Sequence, residues 1–125
     1  MEDNILSGQV IGAAIEVHRV LGPGLLESAY ELALERELRL LGHDVRRQIP
    51  VPLEYKGASL GDGFRIDILV SESLLVEIKA VEQLMPLHEA QLLTYLRLTG
   101  KRHGLLINFN VPALKNGVKR VVNGF

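Results

Sequence analysis

The chain has 125 residues and no cysteine, a formal net charge of -1, and is 47% hydrophobic and 23% charged. That length and balance suit one globular domain over residues 1–125, exclude a disordered chain, and leave no route to a disulfide framework or a thiolate metal site. No apolar run reaches the ~18–20 residues of a membrane span, and the acidic, polar start Met1-Glu2-Asp3-Asn4 is unlike a signal peptide, so the expectation is a cytoplasmic protein without a membrane partner.

In chain order, Leu6, Val10, Ala13, Val17 and Leu21 recur at helical spacing and predict a first helix from Asn4 to Leu21, capped by Asp3 or Asn4. Gly22-Pro23-Gly24 ends it. A second helix follows over about Leu25–Leu41, with Leu26, Tyr30, Leu34, Leu38 and Leu41 along one stripe and Gly42 as a left-handed C-terminal cap. Val45–Tyr55 is β-rich and carries two prolines, which suits a bent or edge strand. Lys56-Gly57 makes a turn. Phe64–Val70 and Leu74–Ala80 predict two strands joined by Ser71-Glu72-Ser73 as an antiparallel hairpin. Pro86 suits the first turn of a third helix that stops at Gly100. Gly104–Phe109 reads as a strand buried on both faces, and Val118–Val122 as a further edge strand. The order α-α-β-β-β-α-β, with a last β, makes an α/β sandwich around a mixed central sheet.

Charge in a core strand is the informative anomaly. Leu74–Val81 has the composition of a buried strand yet includes Glu77 and Lys79, which alternation places on one face with Ile78 on the other. On the preceding strand Arg65 and Asp67 share a face, and Ile66 and Ile68 share the opposite one. Hairpin pairing lets Asp67 approach Glu77, and two adjacent carboxylates repel. A divalent cation between them removes the repulsion, since hard oxygen ligands suit Mg²⁺. It also supplies locally the positive charge that the chain as a whole lacks. The competing reading is a set of ion pairs, Glu77 with Lys79 and Arg65 with Asp67, on a solvated face. The four histidines have no ligand-type spacing and do not argue for zinc.

Asp67 followed by Glu77-Ile78-Lys79 resembles the D…(E)xK signature of the PD-(D/E)XK nuclease superfamily. Gly24-Leu-Leu-Glu27-Ser-Ala-Tyr30 resembles the motif that names one branch of it, the GxxExxY proteins. The stretches I-E-V-H-R-V-L-G-P-G (15–24), H-E-A-Q-L-L-T-Y-L (88–96) and G-L-L-I-N-F-N-V-P (104–112) are similar to that branch too, so the likeness runs from about Ile11 to Phe125. The resemblance implies a restriction-endonuclease-like core and a Mg²⁺- or Mn²⁺-dependent nuclease acting on DNA before RNA. Asp67 and Glu77 would be metal ligands, with the backbone carbonyl of Ile78 and the carboxylate of Glu27 completing the set. Lys79 would orient the attacking water or stabilise the transition state. Gln91 and Tyr95, four apart and so on one helix face, resemble the QxxxY pair of the RecB-like exonucleases, which helps position substrate or the lysine.

Tyr30, Arg65, His18 and His88 are further candidates for substrate contact. Three of these also have an ordinary explanation: core packing for Tyr30, an ion pair for Arg65, and the helix dipole for His18. The same dipole argument covers Glu27 at a helix N-terminus. The alternative to an enzyme is a non-catalytic nucleic-acid-binding or assembly module that keeps the fold. A homodimer would set two sites on two strands by two-fold symmetry.

Overall fold

The computed structural model describes residues 3–124, with side chains from residue 4 onward. The apolar stripe of the first helix, α1 (Asp3–Leu21), buries Leu6, Val10, Ala13, Ala14 and Val17. Asn4 lies inside this helix and is not its cap; the side chain of Asp3 is outside the described ones. In α2 (Glu27–Leu40) the buried stripe is Tyr30, Leu34 and Leu38. Leu26 and Leu41, expected on the same stripe, are exposed, because each caps an end of the helix and so lies outside its periodicity. Gly42 adopts φ 87°, with its N–H on Arg39 O and that of His43 on Leu38 O, the Schellman pattern that a left-handed glycine permits.

The strands are β1 (Val45–Tyr55), β2 (Ala58–Val70), β3 (Leu74–Lys79), β4 (His103–Asn108) and β5 (Val118–Val122), with α3 (Pro86–Thr99) between β3 and β4. They form one sheet in the order β1-β2-β3-β4-β5. β3 and β4 run parallel and the other pairs antiparallel. The architecture is thus the anticipated α/β one, a mixed five-stranded sheet flanked by helices. The proline-bearing β1 is an edge strand with register shifts around Pro52, as a residue without an N–H requires. A short 3-10 turn at Leu114–Gly117 was not signalled by periodicity.

Two apolar layers cover the sheet. α1 and α2 pack on Ile68, Val70, Val76, Ile78, Leu105 and Ile107. Leu92 and Leu96 of α3 pack with Ile66, Leu69, Leu75 and Leu106. Ile66 and Ile68 therefore lie in different layers, whereas strict alternation places them together. β2 changes face at the residue between them, Asp67.

Candidate active site

The β2–β3 ladder pairs Val70 with Leu74, Leu69 with Leu75 and Ile68 with Val76, and the next pair in register is Asp67 with Glu77. There the side chains take over the backbone's bonding. Ile78 N–H donates to Asp67 Oδ2 at 2.8 Å, and Asp67 N–H donates to Glu77 Oε1 at 3.4 Å. Both carboxylates are thereby bound between the strands, and Glu77 is only 5% exposed.

Burial sets their electrostatics. Loss of water pushes the Glu77 carboxyl up to about 8, and the neighbouring charge of Asp67 adds to the rise. Burial also raises Asp67, opposed by the Ile78 N–H and reinforced by the charge of Glu27. Glu27 is exposed at the first position of α2, close enough to be felt at Asp67. Among the described residues, no three Asp, Glu or His side chains converge closely enough to hold an ion. The donors that fit a divalent cation are the Asp67 and Glu77 carboxylates: hard oxygens, adjacent, and short of compensating positive charge.

Lys79 follows on the same strand face, half-buried, with Nζ 3.4 Å from Gln91 Oε1. Gln91 projects from α3, so that helix orients the ammonium of β3. Tyr95, one turn on, stacks on Phe64 of β2 with ring centroids 4.0 Å apart and planes within 8°. Burial raises its phenol, as do the charges of Glu77 and Asp67. Asp67, Glu77, Lys79, Gln91 and Tyr95 thus form one cluster.

The other candidates are placed elsewhere or otherwise engaged. Tyr30 is fully buried and stacks on Phe109 at 4.6 Å. Its hydroxyl donates to Gly22 O at 2.6 Å and accepts from Leu25 N–H at 3.0 Å. It pins the Gly-Pro-Gly loop from which Glu27 emerges and has no exposed surface to offer a substrate. His18 bonds Val111 O through Nε2 at 2.7 Å; a carbonyl only accepts, so this nitrogen carries the proton and ties α1 to the segment after β4. His88 caps α3, its Nδ1 accepting from Met85 N–H at 3.0 Å. Arg65 is exposed, and among the described residues no hydrogen bond or ion pair joins it to Asp67 or Glu77, so the ion-pair account of Arg65 is not met.

Two further arrangements, around Asn108 and around Glu31 with Arg47 and Gln48, were not anticipated. Asn108, buried where β4 ends, accepts from Val81 N–H at 3.0 Å and donates to Val81 O at 2.9 Å, fixing the chain that leaves β3 just past Lys79. Glu31, 7% exposed, accepts from Arg47 Nη1 at 2.6 Å and Gln48 Nε2 at 2.8 Å. The signal for this pair was available: Arg46-Arg47-Gln48 interrupts polar–apolar alternation in a strand.

A family model described as the PD-(D/E)XK nuclease superfamily matches residues 4–121. No curated protein and no solved structure matches the chain.

Proposed function

The chain belongs to the PD-(D/E)XK nuclease superfamily, and on that premise we propose that it is a metal-dependent nuclease hydrolysing phosphodiester bonds of DNA before RNA. The observation that supports this most is the pair of adjacent carboxylates, the buried Glu77 and the half-buried Asp67, between strands with Lys79 beside them. Asp67, Glu77 and the Ile78 carbonyl would hold Mg²⁺ or Mn²⁺, with Glu27 the next carboxylate in reach. When bound, the cation supplies positive charge against the phosphate and makes water more acidic. The chain's own part is positioning: the Ile78 N–H orients Asp67, and Gln91 Oε1 directs Lys79 Nζ toward the site, where its ammonium stabilises charge growing on the phosphate. Tyr95, whose phenol is pushed further above its ordinary value by burial and by the neighbouring carboxylates, can donate a hydrogen bond at the same place. The motif Gly24…Glu27…Tyr30 supports assignment to the GxxExxY branch, and a two-fold dimer would bring two such sites to a duplex.

The test is a titration with Mg²⁺ and Mn²⁺ alongside labelled single-stranded DNA, double-stranded DNA and RNA, with Lys79→Ala and Asp67→Ala in parallel. Metal-dependent cleavage lost in both variants is the expected result. Metal binding without cleavage of any polynucleotide points to another phosphate ester, and no metal binding by the folded protein leaves a non-catalytic binding module.

A further inference from the structure

Gln48 has φ 54° in the middle of β1, a left-handed angle that non-glycine side chains rarely adopt. Its neighbours pair normally, Arg47 with Ile68 and Ile49 with Ile66, and the missing pair between them is Gln48 with Asp67. Successive strand residues point to opposite faces, yet Arg47 and Gln48 both reach Glu31 on α2. Beyond the kink, Ile49 and Val51 join Ile66 and Phe64 in the layer under α3. The whole β1–β2 ribbon therefore changes face at the Gln48–Asp67 pair. That change lays Phe64 on Tyr95 and coincides with the release of Asp67 from both ladders, where its carboxylate, in place of a ladder carbonyl, accepts the Ile78 N–H.

We infer that Gln48, kinked in β1 and tethered to the buried Glu31, is a positioning residue that sets the Asp67 carboxylate. A left-handed residue inside a strand is strained and persists only where its surroundings over-determine it; the Glu31 bond supplies that constraint. Glu31 is one turn along α2 from Glu27, so the same tether fixes the helix start relative to Asp67. The consequence for metal binding rests on the reading of Asp67 and Glu77 as ligands; the placement of Asp67 does not.

The experiment uses the full chain and two substitutions. Gln48→Val cannot hold the left-handed angle without strain, whereas Gln48→Gly keeps it and loses only the tether. Amide hydrogen exchange at Ile78 reports the bond to Asp67. Exchange at Phe109, whose N–H bonds Lys79 O at 3.0 Å, reports general loosening. Mn²⁺ affinity is measured on the same samples. In Gln48→Val, Ile78 exchange should rise and Mn²⁺ binding weaken, each roughly tenfold as for other residues that orient metal ligands, with Phe109 unchanged. Gln48→Gly should fall between that variant and the parent. Parental Ile78 exchange in Gln48→Val, or an equal rise at Ile78 and Phe109, would overturn the inference. Selective loss at Ile78 in a protein that never binds Mn²⁺ would uphold the positioning role and defeat the metal reading instead.

Discussion

Ile78 N–H donates to Asp67 Oδ2 at 2.8 Å across the point where β2 and β3 stop pairing as a ladder. The bond joins the backbone of one acidic strand to the side chain of the other, and it explains how a buried and a half-buried carboxylate come to lie side by side. Neither is a solvated surface charge. Each accepts an N–H that the interrupted ladder would otherwise leave unpaired.

The pH dependence of stability follows from Glu77. Its carboxyl stands at about 8 in the folded chain against an ordinary 4.5, so over that interval the folded state holds a proton that the unfolded state has lost. Stability is therefore fully present below about 4.5 and is lost as pH rises through about 8. Without metal, Tm should fall across this range, and Glu77→Gln should flatten the curve and exceed the parent at pH 8 by roughly 1–3 kcal/mol. A parent and variant with parallel Tm profiles would contradict this.

Metal should reverse that slope. Mn²⁺ at about 100 times its dissociation constant stabilises the fold by roughly 2.7 kcal/mol if only the native state binds it. Asp67→Asn keeps an oxygen for Ile78 N–H but removes a charge, so it should fold with an unchanged or higher metal-free Tm and lose the Mn²⁺-induced rise. Thermal scans with and without Mn²⁺ decide the matter.

Lys79 and Gln91 should not act independently. Lys79→Ala is expected to lower cleavage by roughly 10²–10³-fold, the scale of losing one electrostatic donor to a transition state. Gln91→Ala should lower it about tenfold, as the loss of an orienting partner does. Because Gln91 works through Lys79 Nζ, the double variant should be no worse than Lys79→Ala alone, and a full additive loss in the double-mutant cycle would refute the coupling.

Tyr30→Phe separates structure from contact with substrate. It removes the acceptor for Leu25 N–H and the donor to Gly22 O while keeping the stack on Phe109. A destabilisation of about 1–3 kcal/mol is expected from the stranded buried groups, with substrate KM unchanged in the folded protein. A raised KM with parental Tm would place Tyr30 in the substrate site after all.

Much of the fold was legible because local signals agreed with the tertiary ones. The α3 bounds, Pro86–Thr99 followed by Gly100, match a proline at the first turn and a left-handed glycine cap. The turns at Lys56-Gly57 and Ser71-Glu72 carry the positive φ that tight hairpins demand. Charges in the apolar strand Leu74–Lys79 marked the site for a similar reason, since burying them without partners is costly. Gly24, Glu27 and Tyr30 were recognisable as a motif, with Gly24 in a helix break and Glu27 as an acid, but not that the Tyr30 hydroxyl pins that loop.

By itself, the sequence determined the order of elements, the edge position of the proline-bearing β1 and the approach of Asp67 to Glu77, because capping, period and turn chemistry act over a few residues. Only the tertiary structure decided that Ile66 and Ile68 part company, that His18 is bonded as a structural tie, and that Gln48, bonded to Glu31, lies opposite Asp67. The first and last depend on contacts between α2, β1 and β2 and on a strand that changes face at one residue, and the His18 tie on α1 meeting the segment after β4. Period-two alternation presumes the regular backbone that Gln48 breaks.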